Sequence, residues 1–209
     1  MSGRQRTEPF DALCAEVVAC RRCPRMEDRR RVLSPANGSL QPAVLFVAEA
    51  PGRLGADRTG TPMSSDQTGR RFRSLLRTAG IDEATIFVTN AVLCNPRDAQ
   101  GRNAPPARAE LASCRDYLAR TLALLDPPIV VSLGVVALRQ LDALSPHQLT
   151  LRASVGRPVP WSGRWLVPLY HPGPRALLHR SGAQQLTDYR RVRSFMVRVL
   201  SKRADGVAA

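Results

Sequence analysis

Apolar residues fall into two spacings along the chain. Short continuous runs read as buried strands, and longer stretches with helical spacing follow them. The first run is Ala43-Val44-Leu45-Phe46-Val47, and it predicts a strand over 43–48. Further strands are predicted at 85–89, 129–133 and 165–170. Helical spacing predicts helices at 69–79, 107–125, 134–141 and 183–200, with a short one at 11–20. Gly80 suits the end of the first of these, and Pro105-Pro106 the start of the second. Two long polar loops interrupt the pattern, from Pro51 to Thr68 and from Cys94 to Pro106.

Strand–helix units in repetition predict an α/β protein. The expected form is a three-layer α/β/α sandwich around a four-stranded parallel sheet. The expected organisation is a flexible N-terminus at 1–9, one domain at 10–200 and a flexible tail at 201–209. In such folds ligands bind beyond the carboxyl ends of the strands. Glu49, Asn90, Gly134 and His171 stand at those ends. Each has an ordinary structural explanation when taken alone. Asn90 suits a turn cap, Gly134 close packing, and His171 a loop hydrogen bond. Their shared edge makes a pocket the better reading. An amide reads a nucleobase edge, a histidine donates to an oxygen that gains charge, and a carboxylate orients water or stabilises a cationic sugar. Those are the parts that cleave an N-glycosidic bond.

Charge adds a partner to this picture. The formal net charge is +14, and Lys202 is the sole lysine. A planar guanidinium fork binds phosphate well, so DNA or RNA is the expected partner. Codon bias explains the scarcity of lysine but not the excess of positive charge. The loop His171-Pro172-Gly173-Pro174 is stiff and leads into Arg175, Leu177, Leu178, His179 and Arg180. Its leucines either wedge into a duplex or pack beneath the loop, while Arg175 and Arg180 are candidates for phosphate contact. No run of about 20 apolar residues suits a membrane span, and the N-terminus has no apolar signal core. A cytoplasmic location without membrane contact is expected.

The chain has five cysteines, and in a cytosolic protein metal binding is a better reading for them than disulfides. Cys20-x-x-Cys23 is a ligand pair, whereas Cys94 and Cys114 lie far apart from it and from each other. Four thiolates from distant segments suit an iron–sulfur cluster or an irregular zinc site. Cys14 is the odd one out, on the apolar face of the first helix.

With these residues in place, the chain resembles a uracil-DNA glycosylase of the iron–sulfur branch, over about 20–200. Glu49-Ala50-Pro51-Gly52, Thr89-Asn90-Ala91-Val92-Leu93-Cys94, His171-Pro172 and the four cysteines carry the resemblance. It implies a structural 4Fe–4S cluster on Cys20, Cys23, Cys94 and Cys114, with zinc as the alternative. It also implies removal of uracil from single- or double-stranded DNA after base flipping. Asn90 then reads the base, His171 stabilises the charge on the uracil oxygen, and Ala50, Gly52 and Met63 line the pocket. A monomer is expected.

Some residues depart from the family pattern. Glu49 matches family 4, but the stretch from Gly55 to Pro62 is closer to family 5, in which an acid stands where Asp66 is here. Two acids thus compete for the water, and Asp66 is narrowly favoured. Met63 replaces a stacking Phe, and Gly173 replaces a common Ser. The 94–106 loop lacks the histidine of the covalently trapping relatives. The rival reading is a non-catalytic Fe–S protein that recognises damaged DNA, and other deaminated bases extend the expected substrate range.

Overall fold

A computed structural model describes residues 3–207, with side chains from 5 to 202. In chain order the helices and strands are α1 (Gly3–Ala19), β1 (Val44–Ala48), α2 (Ala56–Thr59), α3 (Gln67–Ala79), β2 (Ile86–Asn90) and α4 (Arg108–Leu125). There follow β3 (Ile129–Leu133), α5 (Val135–Asp142), α6 (Leu151–Ser154), β4 (Val159–Trp161), β5 (Arg164–Leu169) and α7 (Gly182–Val207). The sheet order is β2-β1-β3-β5-β4.

The sheet has five strands, where four were expected. The four expected strands are parallel to one another, and β4 is added antiparallel to β5 at the edge. The extra strand has only three residues, of which Trp161 alone is buried. It therefore leaves almost no apolar signal. Pro160 is tolerable because an edge strand need not supply every ladder donor. The turn into β5 places Ser162 and Gly163 at φ 49° and 74°, as a tight right-twisted hairpin requires.

Side chains of the central strands alternate between two apolar layers. Leu45, Val47, Phe87, Val130 and Leu166 pack with α1, α4 and α5 on one face. On the other, Phe46, Val131 and Val167 meet Phe72 of α3 and Tyr189 of α7. There the rings of Phe46 and Phe72 meet edge-on at 5.2 Å, a geometry favoured by their quadrupoles. Burial of each such side chain contributes about 1.5–3 kcal/mol.

Two helix boundaries differ from the sequence reading. α1 reaches back to Gly3, well before residue 11. α7 continues to Val207, through most of the segment expected as a tail. Residues 1–2 and 208–209 lie outside the described part. Among the described residues no helix is long and apolar enough to cross a membrane.

The topology places the site. β1 is flanked by β2 on one side and β3 on the other, so the chain reverses its direction of winding at the carboxyl end of β1. Loops diverge there and leave a crevice.

Candidate active site

A cavity of about 470 Å³ opens at that crevice. Glu49, after β1, and Asn90, at the end of β2, both line it, as does His171 beyond β5. Ala50 and Gly52 of the first loop line it as well, together with Met63, Asp66 and Arg175. Gly134 is absent from the lining and instead packs near the His171 Cβ, which a Cβ on Gly134 would approach to 3.5 Å.

Glu49 makes no hydrogen bond through its carboxylate among the described contacts, and burial pushes its pKa up. An acid with free lone pairs and a raised pKa is suited to take a proton. Asp66 is differently placed. As the N-cap of α3 it accepts from the Gly69 N–H at 2.7 Å. Its other oxygen rests against the 52–55 turn, which the Gly55 N–H closes onto the Gly52 carbonyl at 3.0 Å. A Cβ on Gly52 would stand 2.8 Å from Asp66 Oδ2, and one on Gly55 only 2.5 Å from it. The two glycines thus make room for the carboxylate. Gly55→Ala is expected to displace Asp66, to slow turnover about tenfold or more, and to destabilise the fold by about 1–3 kcal/mol. Single-turnover rates and denaturant midpoints check both.

His171 accepts the Gly173 N–H at Nδ1, 3.1 Å away. The neutral ring therefore carries its proton on Nε2. Burial lowers the His171 pKa, opposed by the Asp66 charge, which favours that neutral donor. A Cβ on Gly173 would crowd His171 Nδ1 at 2.9 Å and Thr68 Oγ1 at 3.3 Å. Thr68, which also lines the cavity, supplies a hydroxyl close to where a serine at 173 would begin. Asn90 is 5% exposed, and its Nδ2 is buried without a protein partner. Such a donor is costly unless a ligand satisfies it. Met63 has φ 50°, an uncommon value for a side-chain-bearing residue, and its carbonyl packs on Gly69, where a Cβ would meet it at 2.4 Å.

Arg180 was a candidate for phosphate contact, but its guanidinium turns inward to Asp188, with contacts of 2.9 and 2.7 Å. Asp188 is buried, so the pair anchors the end of the 172–180 loop. Leu177 is 40% exposed and Leu178 84%, so neither is packed beneath the loop. Leu178 is the more prominent wedge candidate. Arg175 is exposed at the cavity.

The other wall of the cavity was not anticipated. Asn95, Pro96, Asn103 and Ala104 line it from the loop after β2. In sequence, the one cue is the pair of amides that brackets this loop.

Cys20, Cys23, Cys94 and Cys114 line a second, smaller cavity, of which Cys14 is not part. The donor set is all thiol, drawn from the segment after α1, the loop after β2 and α4, which fits a thiophilic metal centre. Burial pushes Cys94 up to about 11 and Cys114 up to about 12, and it raises Cys23. The Leu93 N–H donates to Cys114 Sγ at 3.3 Å, as amides do to metal-bound sulfur. Among the described residues no group of three or more His, Cys, Asp or Glu side chains is drawn together tightly enough to hold a metal ion. The thiols therefore share a cavity without converging on one point.

Fold and site together define an α/β protein with a pocket lined by Glu49, Asn90 and His171 at a topological switch point. The chain belongs to the uracil DNA glycosylase superfamily, whose sequence profile matches residues 35–192. It is 28% identical over 195 residues to a type-4 uracil-DNA glycosylase of Thermotoga maritima, covering 91% of this chain and 96% of that protein. With the type-4 enzyme of Archaeoglobus fulgidus it shares 29% identity over 178 residues, covering 83% and 85% of the two chains. A type-5 uracil-DNA glycosylase of Pyrobaculum aerophilum is 26% identical over 193 residues, covering 79% and 83%.

Proposed function

We propose that this protein is a DNA glycosylase that releases uracil by hydrolysis of the N-glycosidic bond, in base excision repair. The observation that carries the reading is the buried, unpartnered Nδ2 of Asn90 in the same cavity as a neutral His171 donor. Uracil presents an acceptor and an N–H on one edge, and a single carboxamide matches both. Nδ2 of Asn90 donates to the uracil O4, and its oxygen accepts from N3–H. Nε2 of His171 donates to O2, where negative charge gathers as the bond to the sugar breaks.

Glu49 takes a proton from the attacking water. Asp66, held rigidly by α3 and the 52–55 turn, offers negative charge to the cationic sugar. This reverses the narrow preference for Asp66 as the base, because one of its oxygens is committed to the helix cap while Glu49 is unencumbered. Arg175 and the net positive charge favour DNA, and Leu178 fills the gap left by the flipped nucleotide. Met63 covers the base with a thioether instead of a ring.

Cys20, Cys23, Cys94 and Cys114 hold a 4Fe–4S cluster in this reading, which braces the N-terminal segment against the loop after β2. The cluster's role is structural, and no step of the reaction passes through it. Purified protein is expected to be brown, with iron and sulfide in equal amounts. A colourless protein with one zinc would replace the cluster by the mononuclear alternative.

The activity is tested with uracil-containing oligonucleotides, single-stranded and in U·G and U·A pairs. Alkali-sensitive strand breaks at the uracil are expected. Salt-sensitive binding without breaks on any of the three would leave a damage-recognition protein instead.

A further inference from the structure

Arginines in a strongly basic DNA-binding chain are read by default as phosphate contacts. Arg97 faces the other way. Its NH2 group meets Asp57 Oδ2 at 2.5 Å and its Nε donates to Asn95 Oδ1 at 2.8 Å. Asp57 and Asn95 are both buried. Asn95 in turn donates from Nδ2 to the Pro51 carbonyl at 2.7 Å and to Asn103 Oδ1 at 3.0 Å. Because Arg97 can only donate, it also dictates which way the Asn95 amide points. Asp57 lies in the first turn of α2, and its own N–H reaches back to the Gly52 carbonyl at 3.1 Å.

One guanidinium therefore holds both ends of the 51–57 segment, whose Pro51 and Gly52 form a wall of the cavity. The arginine itself sits in a small closed loop, in which the Ala104 N–H reaches the Pro96 carbonyl at 3.0 Å. We infer that Arg97 is a positioning residue that, through Asn95 and Asp57, fixes the Pro51-Gly52 wall of the base pocket. The inference rests on the glycosylase reading for its kinetic consequence, but not for its structural one.

Lysine discriminates this role from phosphate binding. It keeps the charge but cannot donate to Asn95 and Asp57 at once in fixed geometry. Arg97→Lys and Arg97→Ala are each expected to lower kcat about tenfold or more. KM and the salt dependence of DNA binding stay as in the wild type. In Arg97→Lys, backbone amides of 52–57 exchange hydrogen faster. Asn95→Ala, which leaves the Arg97–Asp57 pair in place, gives the same kcat loss and faster exchange.

If Arg97→Lys instead recovers the wild-type rate while Arg97→Ala raises KM and reduces the salt slope by about one, Arg97 is a phosphate contact and the inference fails. It fails equally if hydrogen exchange in 52–57 is unchanged in folded Arg97→Lys and Asn95→Ala, whose thermal melts show that they are folded. The exchange measurement needs no turnover. An inactive wild type therefore refutes the glycosylase reading, and exchange still decides the role of Arg97.

Discussion

Glu49→Gln is expected to slow uracil release by roughly 10²–10⁴-fold, the usual contribution of a positioned general base, with DNA binding intact. The expectation follows from placement. Glu49 follows β1 directly, lines the cavity and carries a carboxyl whose pKa is raised by burial. Glutamine keeps the shape but cannot take a proton. The pH profile adds a second signature. Glu49 must be deprotonated to act, so the rate falls as pH drops through its folded pKa. Since that pKa is raised, the acid limb lies above the range of an ordinary glutamate, and it disappears in Glu49→Gln. Asp66→Asn retains an oxygen for the Gly69 N–H, so its effect is expected to be the smaller one. If Asp66→Asn is the slower enzyme, the two acids exchange roles.

His171→Ala is expected to cost roughly 10²–10³-fold in kcat, as the loss of one donor to a developing oxyanion does, with little change in KM. The ring is set up for this before DNA arrives. The Gly173 N–H occupies Nδ1, so Nε2 is left as the donor. Burial keeps the imidazole neutral, and a neutral donor serves at neutral pH without gaining or losing a proton. The basic limb of the profile is therefore not set by His171. Steady-state kinetics of His171→Ala on single-stranded substrate checks the split, because a contact made only in the transition state lowers kcat and leaves KM alone.

Much of this site was legible from strand ends. Apolar runs locate β1, β2, β3 and β5 closely, and β3 agrees to the residue. Whatever follows a buried parallel strand is delivered to one edge, so Glu49, Asn90 and His171 could be grouped without coordinates. The short edge strand β4 was illegible because Val159-Pro160-Trp161 has neither length nor alternation. Arg180 shows a different limit. Its composition and position suggested a phosphate contact, but its partner Asp188 lies eight residues on in α7, and only packing shows that the carboxylate is buried there. Asn95 and Asn103 were missed for a similar reason. Nothing in a loop sequence tells which amides turn inward, and here Arg97, held by the distant Asp57, decides it for Asn95. The glycines at 52 and 55 look like turn residues in sequence, whereas in the fold they clear space for Asp66.

The most direct test of the account is to quantify both products from a single-stranded oligonucleotide with one internal uracil. Free uracil is measured by chromatography and the abasic strand by mass spectrometry. Hydrolysis at this site predicts the two in equal amounts, formed by the wild type and not at a comparable rate by Glu49→Gln. An unchanged strand with no free uracil, from folded wild-type protein that binds DNA, would contradict it.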